Sequence, residues 1–124
     1  MTLQELGSTP YIALETYKKD GTGVVTPVWV AGENDKIYAW TEGNSWKVKR
    51  IRHNENVRVC ASDSRGTPQS DWLEAKAHVV ETPEADSAMQ KRLSKKYGFQ
   101  FKLFYLIGRI RNRGGNHVVI ELSE

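Results

Sequence analysis

Short runs rich in apolar, β-branched and aromatic residues recur along the chain, separated by breaks of glycine, aspartate and asparagine. Tyr11 to Tyr17, Val24 to Val30 and Lys36 to Thr41 are three such runs, and each has the length and composition of a strand. Asp20-Gly21 lies between the first two, where glycine supplies the positive φ of a tight hairpin turn. Gly32 to Asp35 makes a second turn, so the three strands form an antiparallel meander. Val57 to Ala61, Trp72 to Glu81 and Asn116 to Leu122 supply three more strands, with a loop at Asp63 to Pro68 before the fifth.

Two segments break this rhythm. Between Ser45 and Arg52, Val48 and Ile51 stand three apart and share one helical face, with Lys47 and Arg50 on another. Asn44 or Ser45 can cap this two-turn helix. Thr82-Pro83-Glu84 is a marked helix start, with a threonine cap, proline at the first position and acid in the first turn. That helix runs to about Tyr97 and stops at Gly98. Phe99 to Ile110 reads as a second helix or an extended surface segment. Six strands with a helix after the third and another pair before the last describe a small, mainly β barrel.

A chain of 124 residues makes one domain, residues 1–124, with 39% apolar and 27% charged positions. It buries roughly two-thirds of its unfolded surface. A large ligand is therefore held most economically in a groove shared by two subunits. The start of the chain lacks the pattern of a signal peptide, and no apolar run approaches the ~18 residues of a membrane span. Cys60 is single and reads as a small buried residue. No clustered Cys/His set suggests a metal, and a reducing cytoplasm is the expected home. Net charge is only +3, but it is localised. Ser45 to Arg52 holds four cations and no acid, and a second basic region runs from Lys91 to Arg113.

Thr26-Pro27-Val28-Trp29, Thr41 followed by Ser45, Lys47 and the basic run to Arg52, then Lys95-Lys96-Tyr97-Gly98, then Val118 to Glu121 occur in this order. In these features the chain resembles the pyridoxamine 5'-phosphate oxidase-like split-barrel superfamily, and within it the short actinobacterial-type coenzyme F420-dependent enzymes. The resemblance spans roughly Leu6 to Leu122. It implies a six-stranded, FMN-binding-like split barrel, a homodimer, and cofactor grooves at the dimer interface. It also implies F420 or FMN as cofactor, moving hydride to or from a small organic substrate. The chain departs from similar proteins at Asn54-Glu55, where they usually carry Asn-Pro, and at Glu74 to Ala77, where they tend to carry Glu-Gly-Thr-Ala. These departures bear on substrate choice and leave the phosphate-binding segment intact.

The residues suit that chemistry. A phosphate needs donors and positive charge, and a helix start provides free N–H groups and the positive end of a dipole. Ser45 and Thr41 add hydroxyls and Lys47 adds a point charge, with Lys49 and Arg50 helping or meeting an anionic tail. An arbitrary basic run is more often just a solvated helix face; here the order of motifs favours the site. Proline at position 27 belongs at a sheet edge, at a bulge, or where something other than a strand lies alongside. The resemblance places the ring against Thr26, Pro27, Val28 and Trp29. Most of the four tryptophans are expected in core or dimer packing. His53, His78 and His117 show no ligand spacing, and each is expected to be structural or exposed. No catalytic side chain is expected, because the cofactor carries the hydride chemistry. FMN in the same fold is the second reading. A single-strand-binding barrel is the third, disfavoured by modest charge and the lack of an RNA motif.

Overall fold

The computed structural model describes residues 2–33, 35–98 and 117–124. The chain order is α1 (Leu3–Leu6), β1 (Tyr11–Tyr17), β2 (Gly23–Val28), β3 (Val30–Glu33), β4 (Lys36–Glu42), α2 (Trp46–His53), β5 (Asn56–Ser62), β6 (Leu73–Val80), α3 (Pro83–Tyr97) and β7 (His117–Ser123). The strands form one antiparallel sheet in the order β2-β1-β5-β6-β7-β4-β3. Its two edges, β2 and β3, are consecutive in the chain. Val28 ends one and Val30 begins the other, so Trp29 alone carries the backbone across the gap. The sheet curls round a common core, and no ladder joins its edges. This is the split of a split barrel.

Among the described residues seven strands stand where six were expected, because the run from Val24 to Val30 is two strands. Its first part pairs with β1, Ala13 opposite Pro27, and its end pairs with β4, Val30 opposite Ala39. Pro27 lies in an edge strand, where its missing N–H is tolerated. Asp20-Gly21 turns the β1–β2 hairpin, with Gly21 at φ +89°.

Ile12, Leu14, Val30, Ile37, Val59, Ile120 and Leu122 fill the barrel. α1 plugs one end with Leu3 and Leu6. Its four residues are held by a capping box between Thr2 and Glu5, a signal present in the sequence but too short to show helical periodicity. α2 leaves the far end of β4 and buries Val48 and Ile51, as their spacing predicts. α3 lies on the outer face of β3, β4 and β7, where Met89 and Leu93 pack with Ala31, Tyr38, Trp40 and Val119. It starts on the Thr82 hydroxyl, which accepts the Ala85 N–H at 3.1 Å, and stops at Gly98, φ +62°. The expected helix or surface segment at 99–110 lies outside the described residues.

Candidate functional site

Alternation sends Ile37, Ala39 and Thr41 of β4 inward and Tyr38 and Trp40 outward. Because Val30 faces Ala39, Val28 comes level with Thr41 across the split, where β2 and β4 touch without pairing. Three residues beyond Glu42, at the Ser45 N-cap, the chain turns into α2. The split, the end of β4 and the start of α2 therefore meet at one mouth of the barrel.

At this mouth Lys47 Nζ donates to Thr41 Oγ1 at 3.3 Å. Burial pushes the Lys47 pKa below the ordinary lysine value, Glu42 pulls it back up, and nearby Arg50 lowers it further. Ser45 occupies the N-cap with extended backbone, φ −69° and ψ 156°, but its hydroxyl makes no cap bond. Arg50 Nη1 reaches Thr16 Oγ1 at 3.4 Å, and Thr16 is fully inside the barrel. Among the described residues, two buried side-chain polar atoms have no hydrogen-bond partner: Ser45 Oγ and Thr26 Oγ1. A buried hydroxyl left unpaired costs about 1–3 kcal/mol. Both orphans fall on residues that the sequence marked for cofactor binding. Ser45 stands at a helix start two residues before a half-buried ammonium, the donor set an anion requires. Thr26 lies on the split side, opposite Leu14 in the edge strand. A phosphorylated cofactor with a polar-rimmed ring fits these donors.

The remaining site residues separate. Val28 enters the core. Pro27 points the other way and is backed by Gly66, whose φ of +88° and tight approach both demand glycine: an added Cβ would stand 3.1 Å from Pro27 Cδ. Trp29 stacks its indole on Tyr97 of α3, centroids 4.7 Å apart and planes 17° apart. Lys49 turns outward and sets its ammonium 4.3 Å over Trp46, which is 69% exposed.

Beside the mouth, Tyr17, Lys18, Lys19, Trp46, Lys49, Arg50, Arg52 and His53 line a groove of about 710 Å³ with no carboxylate in its wall. Arg52 pairs with Glu81, and Arg50 with Thr16. The sequence offered no reason to join Lys18 and Lys19 to α2; the β1–β2 hairpin brings them there. Thr16 was also missed, although its inward position follows from alternation along β1.

Lys96 and Tyr97 have a role that a basic run does not suggest. Lys96 Nζ donates to the carbonyls of Gly7 (2.7 Å), Thr9 (2.7 Å) and Val30 (2.5 Å). Burial pulls its pKa down to about 8. The Tyr97 hydroxyl donates to Pro10 O at 2.5 Å and accepts the Val30 N–H at 3.3 Å; burial pushes its pKa up to about 12. His117 stacks on Trp40 at 4.1 Å, and burial lowers its pKa. His78 Nδ1 lies 3.9 Å from Glu55, and His53 edges the basic groove. Cys60 is buried, as expected. Among the described residues no group of three or more His, Cys, Asp or Glu could hold a metal, and no helix is long and apolar enough to cross a membrane.

The class that this architecture defines is a split barrel, mainly β, antiparallel and open along one seam, similar in fold to pyridoxamine 5'-phosphate oxidase-like proteins. Solved structures bear this out. An F420 reductase superposes with a TM-score of 0.61 at 18% identity, over 99% of this chain and 93% of its own. The heme storage protein HutZ of Vibrio cholerae gives 0.68 at 13%, covering 99% and 90%. A Mycobacterium tuberculosis protein, Rv2991, gives 0.66 at 21%, covering 94% and 73%. No family profile and no curated protein matches the chain.

Proposed function

We propose that the chain is an oxidoreductase that binds F420 and passes hydride between the reduced deazaflavin and a small organic acceptor. Two orphaned buried hydroxyls, Ser45 Oγ and Thr26 Oγ1, carry this reading, because they sit at the phosphate and ring ends of the implied site. The likeness in fold to an F420 reductase supports it. The bound cofactor supplies the hydride chemistry; the chain's residues supply position. Ser45 and Lys47 donate to the phosphate, and Thr41, which already accepts from Lys47, fixes the ammonium. Thr26 addresses the ring's polar rim, and the Pro27–Trp29 segment forms the wall beside it.

The barrel mouth is open at the split, so a second subunit is proposed to complete the groove as a homodimer. FMN is the alternative cofactor. It ends at its phosphate, whereas F420 continues into a carboxylate-bearing tail. The acid-free groove beyond Arg50 favours the longer molecule. Titration of the purified protein with each cofactor, followed by visible absorbance and scattering-derived mass, tests the assignment. Tighter F420 binding to a dimer is expected. Tighter FMN binding at every salt concentration would transfer the assignment to FMN.

A further inference from the structure

The backbone between Val28 and Val30 crosses from one sheet edge to the other, so no ladder fixes the Trp29 peptide. Two adjacent side chains at the end of α3 bond the backbone beside it from outside the barrel. The Val30 carbonyl takes a bond from Lys96, and the Val30 N–H gives one to the Tyr97 hydroxyl. The Tyr97 ring carries the Trp29 indole. Lys96 and Tyr97 also reach back to the carbonyls of Gly7, Thr9 and Pro10, so the clamp is anchored on the α1–β1 turn. All three protons of the ammonium have acceptors, which leaves it little freedom to move.

We propose that Lys96 and Tyr97 are positioning residues that place the Trp29–Val30 corner, and through it the Thr26–Trp29 wall of the cofactor site. The inference rests on the reading of that wall as the ring side. It goes beyond that reading by locating the control of the wall in a helix that does not line the basic groove. Small displacements of such a wall are expensive, because misplacement by about 1 Å at a reacting group can cost ~100-fold.

The test uses Lys96→Met, which keeps the stem and removes the donors, Tyr97→Phe, which keeps the stack and removes the hydroxyl, and Lys95→Met, an exposed neighbour, as control. Lys96→Met should weaken F420 or FMN binding about tenfold and shift the visible band of the bound cofactor. Tyr97→Phe should cost about threefold, and Lys95→Met less than twofold with no band shift. Competition by inorganic phosphate should be unchanged in all three, since Ser45 and Lys47 are untouched. A folded Lys96→Met with wild-type affinity and band would overturn the proposal; if that variant does not fold, Tyr97→Phe decides in the same way. Should the wild type bind neither cofactor, the functional reading fails separately. The clamp is then judged on the Trp29 near-ultraviolet circular dichroism, isolated by difference from Trp29→Phe. That signal should change in Lys96→Met, and its persistence would refute the clamp.

Discussion

Two helices meet the same barrel in opposite ways. α3 is saturated: the Trp40 indole N–H reaches Asp86 at 2.8 Å, Gln90 bonds the other oxygen of that carboxylate, and Lys96 and Tyr97 find backbone carbonyls. α2 is not. Its N-cap hydroxyl is orphaned, its first lysine is half-buried against a single threonine, and its Trp46 stands in water beside a row of cations. Buried polar groups are usually paired, and the unpaired set beside local positive charge is what the proposed cofactor site requires. The difference sets the saturated scaffold helix apart from the helix of the proposed site.

The comparison predicts that damage to α3 is read in stability and damage to α2 in binding. Leu93→Ala should be the costliest change, about 2–5 kcal/mol by thermal or denaturant unfolding, because Leu93 is fully buried under α3. Lys47→Ala should weaken cofactor binding at least about tenfold through loss of one charge-assisted contact, about 1.5–3 kcal/mol. Its melting temperature should hold or rise, since the fold no longer buries an ammonium. Ser45→Ala should weaken binding about threefold to tenfold by titration. It should lose less than the ~1 kcal/mol usual for a cap, because no cap bond exists to break. Similar losses of stability in Ser45→Ala and a Thr82→Ala control would erase the distinction.

The pH dependence sharpens it. Burial sets the Lys47 pKa below 10.5, and only the ammonium attracts phosphate. Affinity should therefore fall on raising pH through that lowered value, earlier than an exposed lysine would allow, and Lys47→Arg should flatten the profile. Ligand-free stability has the opposite sign: between the lowered value and 10.5 the unfolded chain binds the extra proton, so the penalty for burying the Lys47 ammonium is relieved and stability rises with pH across that window. The smallest expected effect is Lys91→Ala, on an exposed position of α3, which should change affinity less than twofold.

What the sequence disclosed was local. Thr82-Pro83 and Gly98 bounded α3, Asp20-Gly21 marked the hairpin, and Val48 with Ile51 set the buried side of α2. The proposed phosphate donors could be picked out together because they lie within one short stretch, Thr41 to Lys47. The seventh strand was not, because nothing at Trp29 resembles a turn; the break there is set by the partner each half pairs with, β1 before it and β4 after it, which only the folded sheet shows. Lys96 looked like one more surface cation for the same reason. The three carbonyls that accept from it belong to the α1–β1 turn and to β3, and only the tertiary fold brings them within reach.

The most direct test of the central claim is isothermal titration of F420 into the wild type, Ser45→Ala, Lys47→Ala and the Ser45→Ala/Lys47→Ala pair. If Ser45 and Lys47 hold one phosphate, the two losses are coupled and the double variant costs measurably less than their sum, since neighbours sharing a partner are not additive. Additive losses, or affinity in the double variant equal to wild type, would contradict a phosphate site at the start of α2.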